Sequence, residues 1–336
     1  MPPPCSPARK SFQTFRNVSY EALFSLYVNR LAVTDTTSLR SSILHYKWEN
    51  GRRYHAYQDG AYWGPNDDTQ QEAEDLFHEM LRIIFDGAVH AIPDLKDPQA
   101  VLDVGCGTGA WALDFADSHP ATRVIGVDLS PIQPSFVPPN CTFEVDDMNK
   151  DWTYPEDNFD LIHARIMNGC MTDWVEFYRR AFKHLKPGGW IQRVEPSVVS
   201  KSDDGTIGPD SPFLTWIEVF RKLGDAIGKT FFAGEVAKES IEKAGGFINI
   251  EERRIKLPIG TWPKDPKLKQ WGAWNRQFLL QGLEGFSIRG MTSTLGWAYE
   301  EAQMFLVEMR RELQDPAVHA YIEVCVVTAQ KPERDE

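Results

Sequence analysis

The sequence lacks any apolar run long enough to span a bilayer, and its first residues hold no apolar signal core. It also lacks an excess of basic side chains: 36 Lys and Arg stand against 48 Asp and Glu, for a formal net charge of −12. Such an acidic chain is poorly suited to nucleic acid or to an anionic membrane surface. We therefore expect a cytoplasmic protein that binds neither.

Paired cysteines are missing as well. The five cysteines, Cys5, Cys106, Cys141, Cys170 and Cys325, are dispersed without the spacing of a disulfide framework or a zinc site. We expect reduced thiols and no metal. The content of 42% hydrophobic and 25% charged residues over 336 positions is ordinary for a globular protein and allows a sizeable core.

The most informative stretch is Val-Leu-Asp-Val-Gly-Cys-Gly-Thr-Gly at 101–109. Its apolar residues predict a short buried strand, and residues 111–118 predict a helix after the turn. Gly105, Gly107 and Gly109 let a ligand approach the backbone without a Cβ clash, and the free N–H groups of a helix start attract a negative group. This arrangement predicts a site for a nucleotide-like ligand.

Strands and helices alternate after this turn. The predicted strands lie at 101–104, 123–127, 142–145, 159–164, 189–195, 247–255 and 320–328, with helices at 174–185, 234–244 and 297–313. Such alternation is typical of an α/β fold with a parallel sheet covered on both faces. The final helix, strand, helix, strand pattern predicts that the last strand is antiparallel, in a doubly wound sheet that is otherwise mostly parallel.

The chain is predicted to divide into three parts. Residues 1–18 form a disordered tail, residues 19–95 a helical extension or lid, and residues 96–330 the α/β domain, with insertions at about 196–232 and 258–296. The extension contains a predicted helix around 20–31 and a second that follows the Pro-Asn-Asp segment at 65–67 and has its apolar side chains between residues 73 and 84.

The second of these helices is amphipathic. Its apolar side chains fall on one face, while polar ones that include Glu74, Asp75 and His78 fall elsewhere. The pattern predicts a helix with one side packed on a core.

Two cofactors fit the glycine turn. Gly105-x-Gly107-x-x-Ala110 matches the dinucleotide pattern, and Asp128 ends the next strand, so a nicotinamide cofactor is one reading. S-adenosylmethionine is the other reading, because Asp103 precedes the glycines by two residues and can face a ligand's ammonium group. The Asp128 carboxylate can accept both ribose hydroxyls of either cofactor.

A third acidic site follows the strand at 142–145. Here the sequence Asp146-Asp147-Met148 offers a carboxylate and an adjacent backbone N–H that can read an adenine edge. Together with the antiparallel final strand, this feature favours S-adenosylmethionine.

Several motifs together resemble the class I S-adenosylmethionine-dependent methyltransferases: Asp-Val-Gly-Cys-Gly-Thr-Gly at 103–109, Gly-Val-Asp-Leu-Ser-Pro at 126–131 and Leu-Lys-Pro-Gly-Gly at 185–189. A narrower resemblance is to the LaeA-like methyltransferases of fungal secondary metabolism. It is carried by Tyr-His-Ala-Tyr at 54–57, Pro-Asn-Asp at 65–67, Asp-Phe-Ala at 114–116, Trp-Thr-Tyr-Pro at 152–155 and Ile-His-Ala-Arg at 162–165. The resemblance covers roughly residues 50–330.

This resemblance implies a Rossmann-like class I methyltransferase fold with S-adenosylmethionine as cofactor. The three glycines would line the methionine moiety, Asp128 would hold the ribose, and Asp147 with Met148 the adenine. It implies methyl transfer to an oxygen or nitrogen of a small molecule in secondary metabolism. The alternative is a regulator that binds S-adenosylmethionine, acts through protein partners and works in the nucleus.

Further candidates lie at the carboxyl edge of the predicted sheet, where ligands bind in such folds. His163 is a candidate general base, with a satisfied core histidine as the alternative, and Arg165 is a candidate cofactor-binding residue. Tyr57 belongs to an aromatic segment that can close over the cofactor. His184 is expected to be a capping or surface residue, and Cys106 a small filler of the turn.

The inserted segments are rich in aromatic side chains, which suit an acceptor pocket, although core packing also explains many of them. They are Trp216, Phe220, Phe231, Phe232, Trp262, Trp271, Trp274 and Phe278.

Overall fold

The computed structural model describes residues 45–334 except Asp59 and Asp94. The predicted tail at 1–18, the predicted helix around 20–31 and Cys5 lie outside the described residues. Within the described part of the chain, no helix is both long and apolar enough to cross a membrane.

The elements follow one another along the chain in this order: β1 (Lys47–Glu49), β2 (Arg52–Tyr54), α1 (Asp68–Ile84), β3 (Ala100–Val104), α2 (Ala110–Ser118), β4 (Arg123–Asp128), β5 (Cys141–Val145), β6 (Phe159–Arg165), α3 (Trp174–His184), β7 (Leu185–Pro196), α4 (Pro212–Ile227), α5 (Ala237–Ala244), β8 (Ile248–Pro258), α6 (Pro266–Arg289), a π-helical turn (Gly290–Thr294), α7 (Tyr299–Gln314) and β9 (Tyr321–Gln330).

Seven of these strands form one sheet in the order β5-β4-β3-β6-β7-β9-β8. Strands β3 to β7 pair in parallel, whereas β9 runs antiparallel to both of its neighbours. The predicted doubly wound sheet with an antiparallel last strand is confirmed. The strand order reverses at β3, so the crevice between the carboxyl ends of β3 and β6 is the expected ligand site.

Helix α1 begins at Asp68, directly after the Pro-Asn-Asp segment at 65–67 that the sequence analysis places before it. Asp67 caps it, because its carboxylate accepts a hydrogen bond from the Gln70 N–H at 3.1 Å. The same carboxylate binds Arg52 at 2.6 and 2.8 Å, which ties the helix start to the β1–β2 hairpin. The apolar face of α1 then packs on the core, as predicted.

The inserted helices cover that apolar face. Trp216, Phe220 and Phe278 are buried in one core cluster with α1, and Trp271 and Trp274 are half-buried against the same cluster. Most of the aromatic side chains in the insertions therefore stabilise the fold by burying apolar area.

A buried ion pair on β7 holds the loop that follows β6. Arg193 and Glu195 are each 1% exposed, with Nη2 and Oε2 3.0 Å apart, and the guanidinium lies 3.5 Å above the Trp174 ring. The Glu195 carboxylate also accepts the N–H groups of Met167 and Asn168, each at 3.0 Å. The loop after β6 is thus fixed by charge and by two backbone hydrogen bonds.

The prediction for His184 is wrong. Its side chain is buried: Nδ1 donates to the Pro155 carbonyl at 2.9 Å, and the ring stacks on Trp152 with centroids 5.5 Å apart. The histidine serves to anchor the loop before β6 to the end of α3.

Candidate functional site

The glycine turn between β3 and α2 allows neighbouring groups to approach its backbone closely. Gly105 and Gly107 have φ values of +67° and +55°, which side-chain-bearing residues rarely adopt. A Cβ on Gly107 would lie 2.6 Å from the Glu74 carboxylate, and one on Gly105 would clash with the Met167 sulfur. Gly109 is the N-cap residue of α2. The turn therefore depends on glycine to bring its backbone next to α1 and to the loop after β6.

Asp128 lies at the end of β4 and is anchored to this turn. Its Oδ2 accepts the Gly107 N–H at 2.9 Å and its Oδ1 accepts the Ser130 N–H at 2.8 Å. Each carboxylate oxygen has a second lone pair. The residue can thus hold two ligand hydroxyls in a fixed orientation, as the prediction for a ribose requires.

A cavity of about 120 Å³ opens beside the turn. It brings together six of the predicted site residues, namely Gly105, Gly107, Asp128, Asp147, Met148 and Arg165. Tyr57 is not among its lining residues; its backbone carbonyl accepts a hydrogen bond from His55 Nδ1 at 2.6 Å. The same aromatic segment contributes Tyr62 and Trp63 to the wall. Sequence reasoning missed these two, since nothing in the pattern distinguishes them from Tyr57.

Asp103 lies beneath the turn rather than on the cavity wall. It is 1% exposed, and both of its carboxylate oxygens are buried without a hydrogen-bond partner in the described structure. Burial raises the pKa of this carboxyl to about 7, although Arg165 nearby opposes the rise. An orphaned buried carboxyl next to a ligand turn fits a ligand that brings positive charge.

Asp147 and Met148 follow β5 at the far end of the cavity. The Asp147 Oδ1 accepts the Asn149 N–H at 3.0 Å, and the Met148 carbonyl accepts the Trp152 indole N–H at 3.1 Å. Both residues are buried, so this segment forms an ordered part of the cavity wall rather than a solvent-exposed loop.

His163 lies away from this cavity, in the core. Its ring stacks on Trp111 with centroids 3.8 Å apart, and its Nδ1 meets the Gln192 amide at 3.2 Å. Burial, with Arg165 nearby, holds the pKa of the imidazole well below its usual range. The geometry is that of a core histidine with one satisfied ring nitrogen, since Nε2 is buried without a hydrogen-bond partner in the described structure, and it gives no support to His163 as a general base.

Helix α1 contributes acidic side chains that the sequence analysis assigned only to its polar face. Glu74 lines the cavity, and Asp75 accepts the Thr108 hydroxyl at 2.8 Å. Burial and the neighbouring Asp128 carboxylate raise the pKa of Glu74 to about 8; Asp75 adds to the rise, while Gln70 and Arg165 oppose it. The amphipathic pattern shows that this face is polar but not that it faces the glycine turn.

The pKa of Glu74 predicts a pH dependence of stability. An unfolded glutamate loses its proton near 4.5 and the folded one near 8, so between these values the folded state binds more protons and the free energy of unfolding falls as pH rises. Denaturant titrations should show this fall to be smaller in Glu74→Gln than in the wild type. Parallel curves for the two proteins would contradict the assignment.

Cys106 gives a prediction of a small effect. The thiol is buried, and burial together with Asp128 and Asp103 raises its pKa well above the usual range, so it stays protonated and is a poor nucleophile. Cys106→Ala should bind S-adenosylmethionine within about twofold of the wild type by calorimetry, since a filler loses only packing. A complete loss of methyl transfer with intact binding would show a chemical role instead.

Comparison with known proteins places the chain in a family. The family described as "Methyltransferase domain" matches residues 71–225. The methyltransferase pytC of Aspergillus terreus is 39% identical over 297 residues, which cover 88% of this chain and 91% of that protein. The secondary metabolism regulator LAE1 of Cochliobolus heterostrophus is 37% identical, with 85% and 95% covered. The protein-methionine methyltransferase laeA of Emericella nidulans is 30% identical, with 85% and 76% covered.

The chain belongs to the LaeA-like methyltransferases. The observed strand order and the shared family confirm the predicted class I fold and S-adenosylmethionine as the cofactor, rather than a nicotinamide. The residues present fit this group, since the Asp128 oxygens suit its ribose and the orphaned Asp103 carboxyl suits its positive charge.

Proposed function

We propose that this LaeA-like methyltransferase transfers a methyl group to an oxygen or nitrogen of a small, largely apolar molecule in secondary metabolite biosynthesis. The observation that carries the proposal is the composition of the cavity beyond the glycine turn. Its walls include the side chains of Tyr62, Trp63, Met167, Phe278 and Phe286. Aromatic and thioether walls with a few polar groups are typical of pockets for small molecules.

The chemistry asks little of the protein beyond binding and alignment. When bound, S-adenosylmethionine supplies an activated methyl group on a sulfonium centre. Asp128 would hold the ribose, while Gly105 and Gly107 leave room for the amino-acid end. Tyr62 and Trp63 would exclude water and present ring faces to positive charge. Their main contribution is proximity and orientation, which can supply several kcal/mol of a barrier.

The division of the chain belongs to the same proposal. We propose that residues 19–95 are a helical extension of the methyltransferase domain at 96–330, with 1–18 as a tail, and that the aromatic segment after Tyr57 forms a lid through Tyr62 and Trp63. A cytoplasmic location suits an enzyme acting on a small metabolite.

A radiolabel experiment tests the acceptor class. Purified full-length protein is incubated with S-adenosylmethionine labelled in its methyl group and a fungal extract, which is then separated into small-molecule and protein fractions. We expect label in the small-molecule fraction and none with Asp128→Ala. Label confined to protein, or binding of S-adenosylmethionine without any transfer, would favour the alternative of a regulator acting through protein partners; the relative LAE1 is named a secondary metabolism regulator.

A further inference from the structure

Three side chains from three elements form a hydrogen-bonded chain behind the cavity. The Arg165 guanidinium, at the end of β6, lies 2.8 Å from Nδ1 of His78 in α1. The Nε2 of His78 lies 3.0 Å from the Asp114 carboxylate in α2. His78 is buried, so its ring is held by these two partners and by packing rather than by solvent.

The chemistry of the partners fixes the protonation of His78. A guanidinium only donates hydrogen bonds, so Nδ1 must carry a lone pair and Nε2 must carry the proton that goes to Asp114. Burial and Arg165 lower the pKa of His78 to about 4, while Asp114 opposes this and Arg82 reinforces it. The imidazole is therefore neutral at physiological pH, and the hydrogen bonds run in one direction: Arg165 donates to His78, and His78 donates to Asp114.

Arg165 is also the one basic side chain among the described residues that line the cavity. It stands among acids: Glu74 on the same wall, and Asp75 and Asp103 within electrostatic range. A guanidinium beside carboxyl groups suits a zwitterionic ligand. The guanidinium can bind the ligand's carboxylate, and the carboxyl groups can bind its ammonium group. The amino-acid end of S-adenosylmethionine is such a group.

We propose that His78 and Asp114 are positioning residues that aim Arg165 at the carboxylate of the cofactor's amino-acid end. The inference rests on the cofactor being S-adenosylmethionine and extends the site by two residues that do not line the cavity. Without an acceptor at His78 Nδ1, the long arginine side chain would have more rotamers available and would lose orientation toward its ligand.

This role is tested by measuring the affinities for two ligands by calorimetry. One ligand is S-adenosylmethionine, and the other is 5′-methylthioadenosine, which lacks the amino-acid end. His78→Phe keeps the ring volume but removes the acceptor. We expect it to weaken S-adenosylmethionine by about tenfold and 5′-methylthioadenosine by less than about twofold. His78→Asn retains an acceptor near Nδ1 and should recover part of the loss.

Two further variants make the test independent of folding defects. His184→Phe removes an equally buried histidine that does not touch Arg165, and it should lower stability while leaving the ratio of the two affinities unchanged. Arg165→Met should show the same selective loss as His78→Phe, and combining the two should add little, because both act on one contact. If His78→Phe does not fold, His78→Asn and Asp114→Asn are compared with Arg165→Met instead.

The outcomes separate the possibilities. A similar loss for both ligands, or an unchanged ratio in a folded His78 variant, would overturn the positioning role. Failure of the wild-type protein to bind S-adenosylmethionine at all would overturn the proposed function itself.

Discussion

Asp128→Ala is expected to weaken S-adenosylmethionine binding at least about a hundredfold while the fold survives. Two hydroxyl hydrogen bonds to a charged acceptor are lost, each worth about 1.5–3 kcal/mol, and about 2.8 kcal/mol already corresponds to a factor of a hundred. The Gly107 and Ser130 N–H groups also lose their acceptor, which loosens the turn. Titration calorimetry gives the affinity, and thermal unfolding shows whether the fold is intact.

Asp160→Ala is the matched control. The Asp160 carboxylate also accepts two backbone N–H groups, those of Gln99 and Ala100, each at 2.8 Å, but it lies outside the cavity. The control should lose stability and keep its affinity for S-adenosylmethionine. Equal affinities for Asp128→Ala and the wild type would remove Asp128 from the site.

Glu195→Ala is expected to destabilise the protein by about 3–5 kcal/mol, because it leaves the buried Arg193 guanidinium without its carboxylate partner. The Met167 and Asn168 N–H groups lose their acceptor as well, so the loop after β6 should also loosen. Denaturant unfolding measures the first effect. A reduced affinity for S-adenosylmethionine under conditions where the variant is folded measures the second.

An exposed ion pair provides the comparison for this variant. Glu239 and Lys243 pair across one turn of α5 at 2.6 Å, with both side chains more than half exposed. Glu239→Ala should change the free energy of unfolding by less than about 0.5 kcal/mol. A loss in Glu195→Ala as small as this would mean that the buried pair does not hold the loop.

The sequence alone predicted the sheet and the glycine turn because both are local signals. Apolar runs of strand length alternate with helical periodicity from 101 onward, and such a pattern has few arrangements besides a parallel sheet. Asp128 could be predicted as well, since it ends the strand next to the turn and strand ends share one edge. The structure confirms the sheet and places Asp128 beside the glycine turn, where it accepts the Gly107 N–H.

His163 and Arg165 show the limit of predicting site residues from their position at the end of a strand. The two are separated by one residue, so they lie on the same face of β6, about 6–7 Å apart along the strand. Arg165 reaches the cavity, whereas His163 lies one pleat deeper beneath the Trp111 ring. Which of two such residues meets a ligand depends on the helix that packs above them, and the strand pattern does not contain that information.

The polar face of α1 shows a second limit. Periodicity identifies its apolar face, but Glu74 and His78 acquire their roles only because α2 and the glycine turn dock beside them. The same holds for the aromatic side chains of the insertions, of which Phe278 and Phe286 reach the cavity while Trp216 packs in the core. Tertiary docking decides these assignments, and one sequence without its fold does not reveal it.

The most direct measurement is calorimetric titration of the purified full-length chain with S-adenosylmethionine and, separately, with NAD. The geometry of the turn, Asp128 and the orphaned Asp103 carboxyl predicts one binding site for S-adenosylmethionine, which Asp128→Ala weakens at least about a hundredfold, and no binding heat for NAD. Binding of NAD with none of S-adenosylmethionine would contradict the assignment of this site.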